Sequence, residues 1–263
     1  MNFFETVELD PANPAEAAHR ASNALARTKV VWMRPSVAPD NLRSFYDSLV
    51  EGIGNPISIG EDFTQGGVQT GERWLEIRYD AAIPDMAAFR HSKNAQPLHT
   101  DESYITDPAD IMLFYCVNRA PVGGATIFID SDALLAALTA ENPALLERLT
   151  TTPVRYEKGG EHRTLPIIST DHDGDTRFNY NYYCVDPSQN QPAIDLNQDF
   201  FDFLEAKRED RALITEVALD PGESVAWWDD RVLHGRDAFE ANATNDRFIW
   251  KAGIRFNDAR VLT

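Results

Sequence analysis

His99 and Asp101 stand one residue apart in PLHTDESY, and His234 follows far downstream in WDDRVLHGR. On an extended segment residues i and i+2 face the same side, so His99 and Asp101 can offer an imidazole nitrogen and a carboxylate oxygen to one ion. The spacing alone is a weak signal, because a chain with six histidines and 42 acidic residues produces such pairs by chance. A lone histidine after a strand, as at His234, is commonly a packed or surface residue. Taken together, two imidazoles and one carboxylate leave several positions open on an octahedral ion. That donor set suits a non-haem Fe(II) that must admit a cosubstrate and O2.

Two further residues suggest what such an ion would work with. Arg247 lies thirteen residues past His234, in NDRFIWKAGIRF. An arginine in a strand is often just an exposed charge, but its planar fork also matches a carboxylate in a bidentate clamp. Thr126 begins a strand directly after the turn at Gly123 and Gly124, in GGATIFID. Its hydroxyl matters only if it faces the same cavity. Two other segments, HRT at 162–164 and DHDGD at 171–175, carry metal-capable side chains. The second lacks the spaced acidic pattern and final Glu of a calcium loop and reads as a hairpin turn.

PLHTDESY, ADIMLFYCVNRAPVGGATIFID and LDPGESVAWWDDRVLHGR followed by DRFIWK occur in that order over residues ~95–255. In this order they resemble the TauD/TfdA and clavaminate-synthase-like Fe(II)/2-oxoglutarate-dependent oxygenases. The resemblance implies that His99, Asp101 and His234 bind Fe(II), and that Thr126 and Arg247 hold the far carboxylate of 2-oxoglutarate. It also implies a double-stranded β-helix, or jelly roll. The implied reaction splits 2-oxoglutarate with O2 into succinate and CO2 while a C–H bond of a second substrate is oxidised. Hydroxylation is the expected outcome, with desaturation, cyclisation or cleavage as alternatives. Two departures stand out. Asp230 occupies the place of the usual Asn in the WDNR segment. Lys251 stands where several relatives carry an Arg that meets an acidic group of the substrate. Lys251, with Tyr104, Asn181 and Tyr183, is therefore a candidate for the substrate wall, and each could equally be solvated or packed. The expected substrate is a small carboxylate-bearing molecule such as an amino acid or an amino-acid-derived natural-product intermediate. The rival readings are a Zn- or Mn-dependent hydrolase, which has no need for the Thr126 and Arg247 clamp, and a non-catalytic metal-binding protein, which is disfavoured because every metal position carries a competent ligand.

Positioning these residues requires a mainly β framework with flanking helices. Helical patterns occupy 14–27, the stretch from Ala38 to Gly54, 131–149 with a break near Pro143, and 197–210. In the second of these, Leu42, Phe45, Tyr46, Leu49 and Val50 form one apolar stripe, while Ser131 is expected to cap the third. Strand-like runs include KVVWMR, RWLEIRYD, IMLFYCVN, ATIFID, PIIST, RFNYNYYCV, ALITEVAL, SVAWWDD and RFIWKAGIRF. Many short strands with helices gathered at the front suggest a sandwich or barrel. The Gly- and Gln-rich segment 55–72 reads as a loop that could act as a lid. At 263 residues, with 43% hydrophobic composition, the chain fits one domain with a substantial core. A formal charge of −18 disfavours phosphate backbones and anionic lipid surfaces as partners. Cys116 and Cys184 are too few and too far apart for a disulfide framework, and no signal peptide or apolar span is visible. These features favour a cytoplasmic protein.

Overall fold

The strand Ile111–Asn118 shows how the sequence builds two layers. Met112, Phe114 and Cys116 point to one side, Leu113 and Tyr115 to the other, and both sets are buried. A strand with two apolar faces belongs at the centre of a sheet covered on both sides. The computed structural model describes residues 1–58, 72–83 and 89–257. In it, Ile111–Asn118 lies between Ser224–Trp228 and Phe248–Phe256 in a seven-stranded sheet. Facing it is a four-stranded antiparallel sheet in the order Ile214–Val217, Thr126–Asp130, Val232–Arg236, Gln96–His99.

The inner faces meet in one core. Phe114, Val225, Trp227 and Ile249 from the large sheet pack with Phe128, Val217 and Val232 from the small one. This is the expected double-stranded β-helix. The outer face of the large sheet is covered by the helices Pro14–Leu25 and Leu42–Ile53. Phe45, Tyr46, Leu49 and Val50 of the apolar stripe are buried, with Leu42 partly so. The helices Ser131–Glu141, Pro143–Thr151 and Gln191–Lys207 cover the outer face of the small sheet, over Ile127, Ile129 and Leu233. Period-2 alternation then decides what faces inward. With Ile127, Ile129 and Leu233 turned out, Thr126, Phe128 and His234 must turn in.

Two local expectations change, and one further strand carries no mark in the sequence. Asn2–Leu9 forms an edge strand parallel to Thr28–Pro35, although its sequence carries no alternation strong enough to mark it. RFNYNYYCV is a strand only over Thr176–Phe178; Tyr182–Cys184 makes a single 3-10 turn. There Thr100 takes the backbone of Tyr180, its N–H donating to Tyr180 O at 2.7 Å and its hydroxyl accepting from Tyr180 N at 3.1 Å. Those bonds replace a longer strand ladder. Ser131 is the first helical residue and not the cap, because its hydroxyl is taken by the buried Lys29, whose Nζ donates to it at 2.8 Å. The 171–175 segment is the expected hairpin turn, joining Ile168–Thr170 to Thr176–Phe178. Most of the suggested lid, residues 59–71, lies outside the described residues.

Candidate metal and cosubstrate site

His99 ends the strand Gln96–His99 and is paired across the small sheet with His234 of Val232–Arg236. Asp101 follows in the turn beyond the strand end. The pairing brings the imidazole centroids to 4.3 Å. One ligand atom from each of His99, Asp101 and His234 lies within 4.8 Å of the others, and no other such three-residue group occurs among the described residues. The three sequence candidates therefore converge.

Their orientation is set by neighbours. His99 Nδ1 lies 2.8 Å from Pro97 O, which can only accept, so Nδ1 carries the proton and Nε2 keeps its lone pair. His99 Nε2 faces the Gln96 amide at 3.1 Å and Asp101 Oδ1 at 3.7 Å. His234 Nε2 faces Asp101 Oδ2 at 3.5 Å. Burial, reinforced by His99, drives the His234 pKa well below the usual imidazole range, so the ring is a neutral donor. For Asp101 burial pushes upward, but Lys251, His234 and His99 outweigh it and hold the carboxylate ionised. Asp101 Oδ2 and His234 Nδ1 are buried without a hydrogen-bond partner. A buried carboxylate oxygen with no hydrogen-bond partner beside an imidazole nitrogen is a place that a cation would fill. This donor set, two nitrogens and one oxygen, fits a first-row divalent metal such as iron and leaves coordination positions for other ligands.

Asp229 is a contributor that sequence reasoning passed over. It is buried, and its carboxylate accepts the Asp101 backbone N–H at 2.9 and 3.2 Å and the Trp227 indole N–H at 3.3 Å. Its Oδ1 lies 3.7 Å from His234 Nδ1. Burial and the nearby Asp101 charge raise its pKa well above the usual carboxylate value. Its place five residues before His234 was the available signal. Asp230, the departure from WDNR, points away from the metal cluster: it accepts from Arg177 Nη1 at 2.7 Å and ties the turn to the Thr176–Phe178 hairpin.

The cluster opens into a cavity of about 410 Å³ that is also lined by Thr126, Arg247, Lys251, Asn181 and Tyr183. Arg247 is 3% exposed, and its Nε donates to Gly124 O at 3.3 Å. Burial lowers its pKa to about 10, opposed only by Cys116, so no carboxylate of the described protein compensates the charge. Glycine at 124 suits both the backbone and the arginine. Its φ is +77°, and a Cβ there would sit 3.1 Å from Arg247 Nε and 3.3 Å from its Cδ. The Gly-Gly turn thus leaves room for the arginine, while Thr126 starts the adjoining strand with its side chain facing the same space.

One of the substrate candidates is placed differently from expectation. Tyr104 does not line the cavity. It is 7% exposed and packs into the core behind the small sheet, because the turn after Asp101 carries it outward. Lys251 does line the cavity and is buried, but its Nζ sits 2.7 Å from Asp101 Oδ1. Asn181 donates to Thr100 O at 3.5 Å beside the metal pair, and Tyr183 is 59% exposed, its ring 5.2 Å from that of Phe89. Phe89, Arg90 and Lys158, which no sequence pattern marked, complete the wall.

Comparison with known proteins adds the following. A family model described as "Taurine catabolism dioxygenase TauD, TfdA family" matches residues 3–252. A uridine-5'-phosphate dioxygenase of Amycolatopsis sp. is 30% identical over 226 residues, covering 78% of this chain and 79% of that protein. A gamma-butyrobetaine dioxygenase of Pseudomonas sp. (strain AK-1) is 31% identical over 158 residues, but the match spans only 41% of its length and 57% of this chain. Among solved structures, an asparagine oxygenase superposes with a TM-score of 0.68 at 13% identity, covering 93% of this chain and 83% of that one. The non-heme iron oxygenase OrfP, in complex with Fe and alpha-ketoglutaric acid, does so with 0.67 at 15% identity, covering 98% and 96%.

Proposed function

This chain belongs to the TauD/TfdA dioxygenase family, and on that premise we propose that it is an Fe(II)- and 2-oxoglutarate-dependent dioxygenase that hydroxylates a small carboxylate-bearing substrate. The observation that carries the reading is the convergence of His99, Asp101 and His234 at one end of a cavity whose wall also holds the buried Arg247 and Thr126. A hydrolytic metal site does not require the Thr126 and Arg247 pair.

His99, Asp101 and His234 would hold the iron. Arg247 would clamp the far carboxylate of 2-oxoglutarate through its fork, with the Thr126 hydroxyl donating alongside. Bound there, iron with 2-oxoglutarate and O2 supplies the oxidising power that takes hydrogen from a C–H bond. The protein's own part is placement and dryness. Pro97 O fixes the His99 tautomer, and Asp229 fixes the backbone at Asp101. The rings of Trp227, Phe114 and Phe128 surround His234 at 4.7, 6.4 and 6.4 Å and hold its imidazole in place.

The substrate would lie against Asn181 and Tyr183. Arg90 and Lys158 on the same wall give a basic lining within a chain of net charge −18, which supports an anionic substrate. An amino acid or an amino-acid-derived intermediate meets that requirement. The same negative net charge argues against nucleic acid and membrane surfaces as partners, and no helix among the described residues is long and apolar enough to cross a membrane. Cys116 and Cys184 are buried and not joined in a disulfide, which suits a reducing cytoplasm. We read the whole of 1–263 as one catalytic domain. The test is anaerobic addition of Fe(II) and 2-oxoglutarate, which should give a weak visible charge-transfer band needing both. A succinate-release screen over amino acids and related carboxylates should follow. Turnover supported by Zn(II) without 2-oxoglutarate or O2 would overturn the reading.

A further inference from the structure

Lys251 sits where both edges of its strand are occupied. Across Phe248–Phe256 it stands opposite Phe114 on one side and Leu75 on the other, so its backbone is held by two neighbouring strands. The side chain is buried and reaches Asp101 Oδ1 at 2.7 Å. Asp101 uses its two oxygens unequally. Oδ1 faces Lys251 and, at 3.7 Å, His99 Nε2; Oδ2 lacks a hydrogen-bond partner and lies 3.5 Å from His234 Nε2. Its backbone N–H is held by Asp229.

We propose that Lys251 is a positioning residue for the metal, the built-in counter-ion of Asp101 that grips Oδ1 and leaves Oδ2 facing His234 Nε2. This rests on the iron-dependent reading given above. It accounts for lysine at this position. An ammonium group is a point donor that holds a single oxygen, whereas a guanidinium fork tends to take both oxygens of a carboxylate and would compete with the metal for Oδ2. Charge and geometry are thus separable. The positive charge keeps a buried carboxylate from being unpaired, which is costly when one partner of such a pair is removed. The single-point contact decides which oxygen is offered.

Two variants separate these roles. Lys251→Met removes the charge, and the melting temperature of the protein prepared without metal should fall by about 5–15 °C. Lys251→Arg keeps the charge and should melt within a few degrees of the parent. It should nevertheless bind Mn(II), followed by the EPR signal of the free ion, about tenfold more weakly, the scale of a lost outer contact to a metal ligand. A contact that was merely structural would be rescued by arginine in both measurements. If Lys251→Met is too unstable to purify, Asp101→Asn/Lys251→Met, which removes both charges, should recover a folded protein, and failure to recover would overturn the proposal. It is also overturned if Lys251→Met melts like the parent, binds Mn(II) like the parent and changes only the KM for the primary substrate. Absence of the charge-transfer band from the parent protein would instead sink the enzymatic reading, leaving the melting temperatures to judge the ion pair.

Discussion

The inner end of the cavity and its mouth are built on different principles. At the inner end every participating side chain springs from or adjoins paired strands: His234 lies opposite His99, Arg236 opposite Thr126, and Lys251 opposite Phe114. At the mouth the wall comes from Phe89 and Arg90, the end of the strand Pro153–Lys158 and the single turn Tyr182–Cys184, with Tyr183 exposed. One side chain ties the two together. The buried Arg236 donates to the carbonyl oxygens of Phe89, Ser92 and Asn94 at 2.9, 3.0 and 2.5 Å, fastening the mouth segment to the metal-bearing strand. A site that must place three ligand atoms together needs rigid elements. A wall that selects substrates can be drawn from loops and turns. On this division, changes at the inner end should abolish or weaken the steps shared by all substrates, whereas changes at the mouth should alter only the choice among them.

The largest effect should come from Asp101→Ala, which removes the anionic ligand. Metal affinity should fall by more than the roughly 10–100-fold that follows loss of an outer contact, and 2-oxoglutarate turnover should fall with it. Metal content after anaerobic loading and succinate release check both. Normal metal loading in this variant would place the ion elsewhere and dissolve the contrast between the two ends.

Next is Arg247→Lys. A buried fork becomes a single contact, a loss of roughly 1.5–3 kcal/mol, or about 10–100-fold, expected in the KM for the cosubstrate 2-oxoglutarate. An unchanged KM would move the clamp away from Arg247. Gly124→Ala should act on the same step more gently. Ala at a φ of +77° is strained by roughly 1–2 kcal/mol, and its Cβ would press on the Arg247 side chain. The strain should lower the melting temperature by a few degrees, and the push on Arg247 should raise the cosubstrate KM by about 3–10-fold, which corresponds to roughly 0.7–1.4 kcal/mol. A KM that stays put while stability falls would show that Arg247 can shift aside.

How much of this was legible in the sequence follows the same division. His99 and Asp101 announce themselves because their relation is local, two residues on one extended segment. Thr126 and Arg247 follow from motif order and from the Gly-Gly turn, whose second glycine leaves room for the arginine's side chain. The continuous apolar run at 111–118 likewise declares a strand buried on both faces. What the sequence could not indicate depends on contacts between distant segments. Lys251 reaches Asp101 across 150 positions of chain. Tyr104 has the spacing of a site residue, yet the turn after Asp101 sends it into the core with Leu98 and Tyr156. Tyr182–Cys184 has strand-forming residues but is bent into a turn by the pairing of Thr100 with Tyr180. Phe89, Arg90 and Lys158 carry no pattern at all, because only closure of the fold brings them to one wall.

The smallest expected effect lies at the mouth and sharpens the comparison most directly. Tyr183 is largely exposed, and its ring contacts only the edge of the wall, 5.2 Å from Phe89 and 5.0 Å from Tyr182. An aromatic contact of this kind is worth about 0.5–1.5 kcal/mol, or roughly 2–10-fold in binding. Tyr183→Ala should therefore raise the KM for the primary substrate by that factor and leave the cosubstrate KM within about twofold of the parent, because nothing on the inner wall leans on this ring. The measurement is succinate release with each substrate varied in turn, using the compound that emerges from the carboxylate screen. Equal rises in both constants would mean that the mouth is coupled to the inner end, with Arg236 the side chain that already spans them. A selective rise would show that substrate choice can be altered at Tyr183 without disturbing the metal or the cosubstrate clamp.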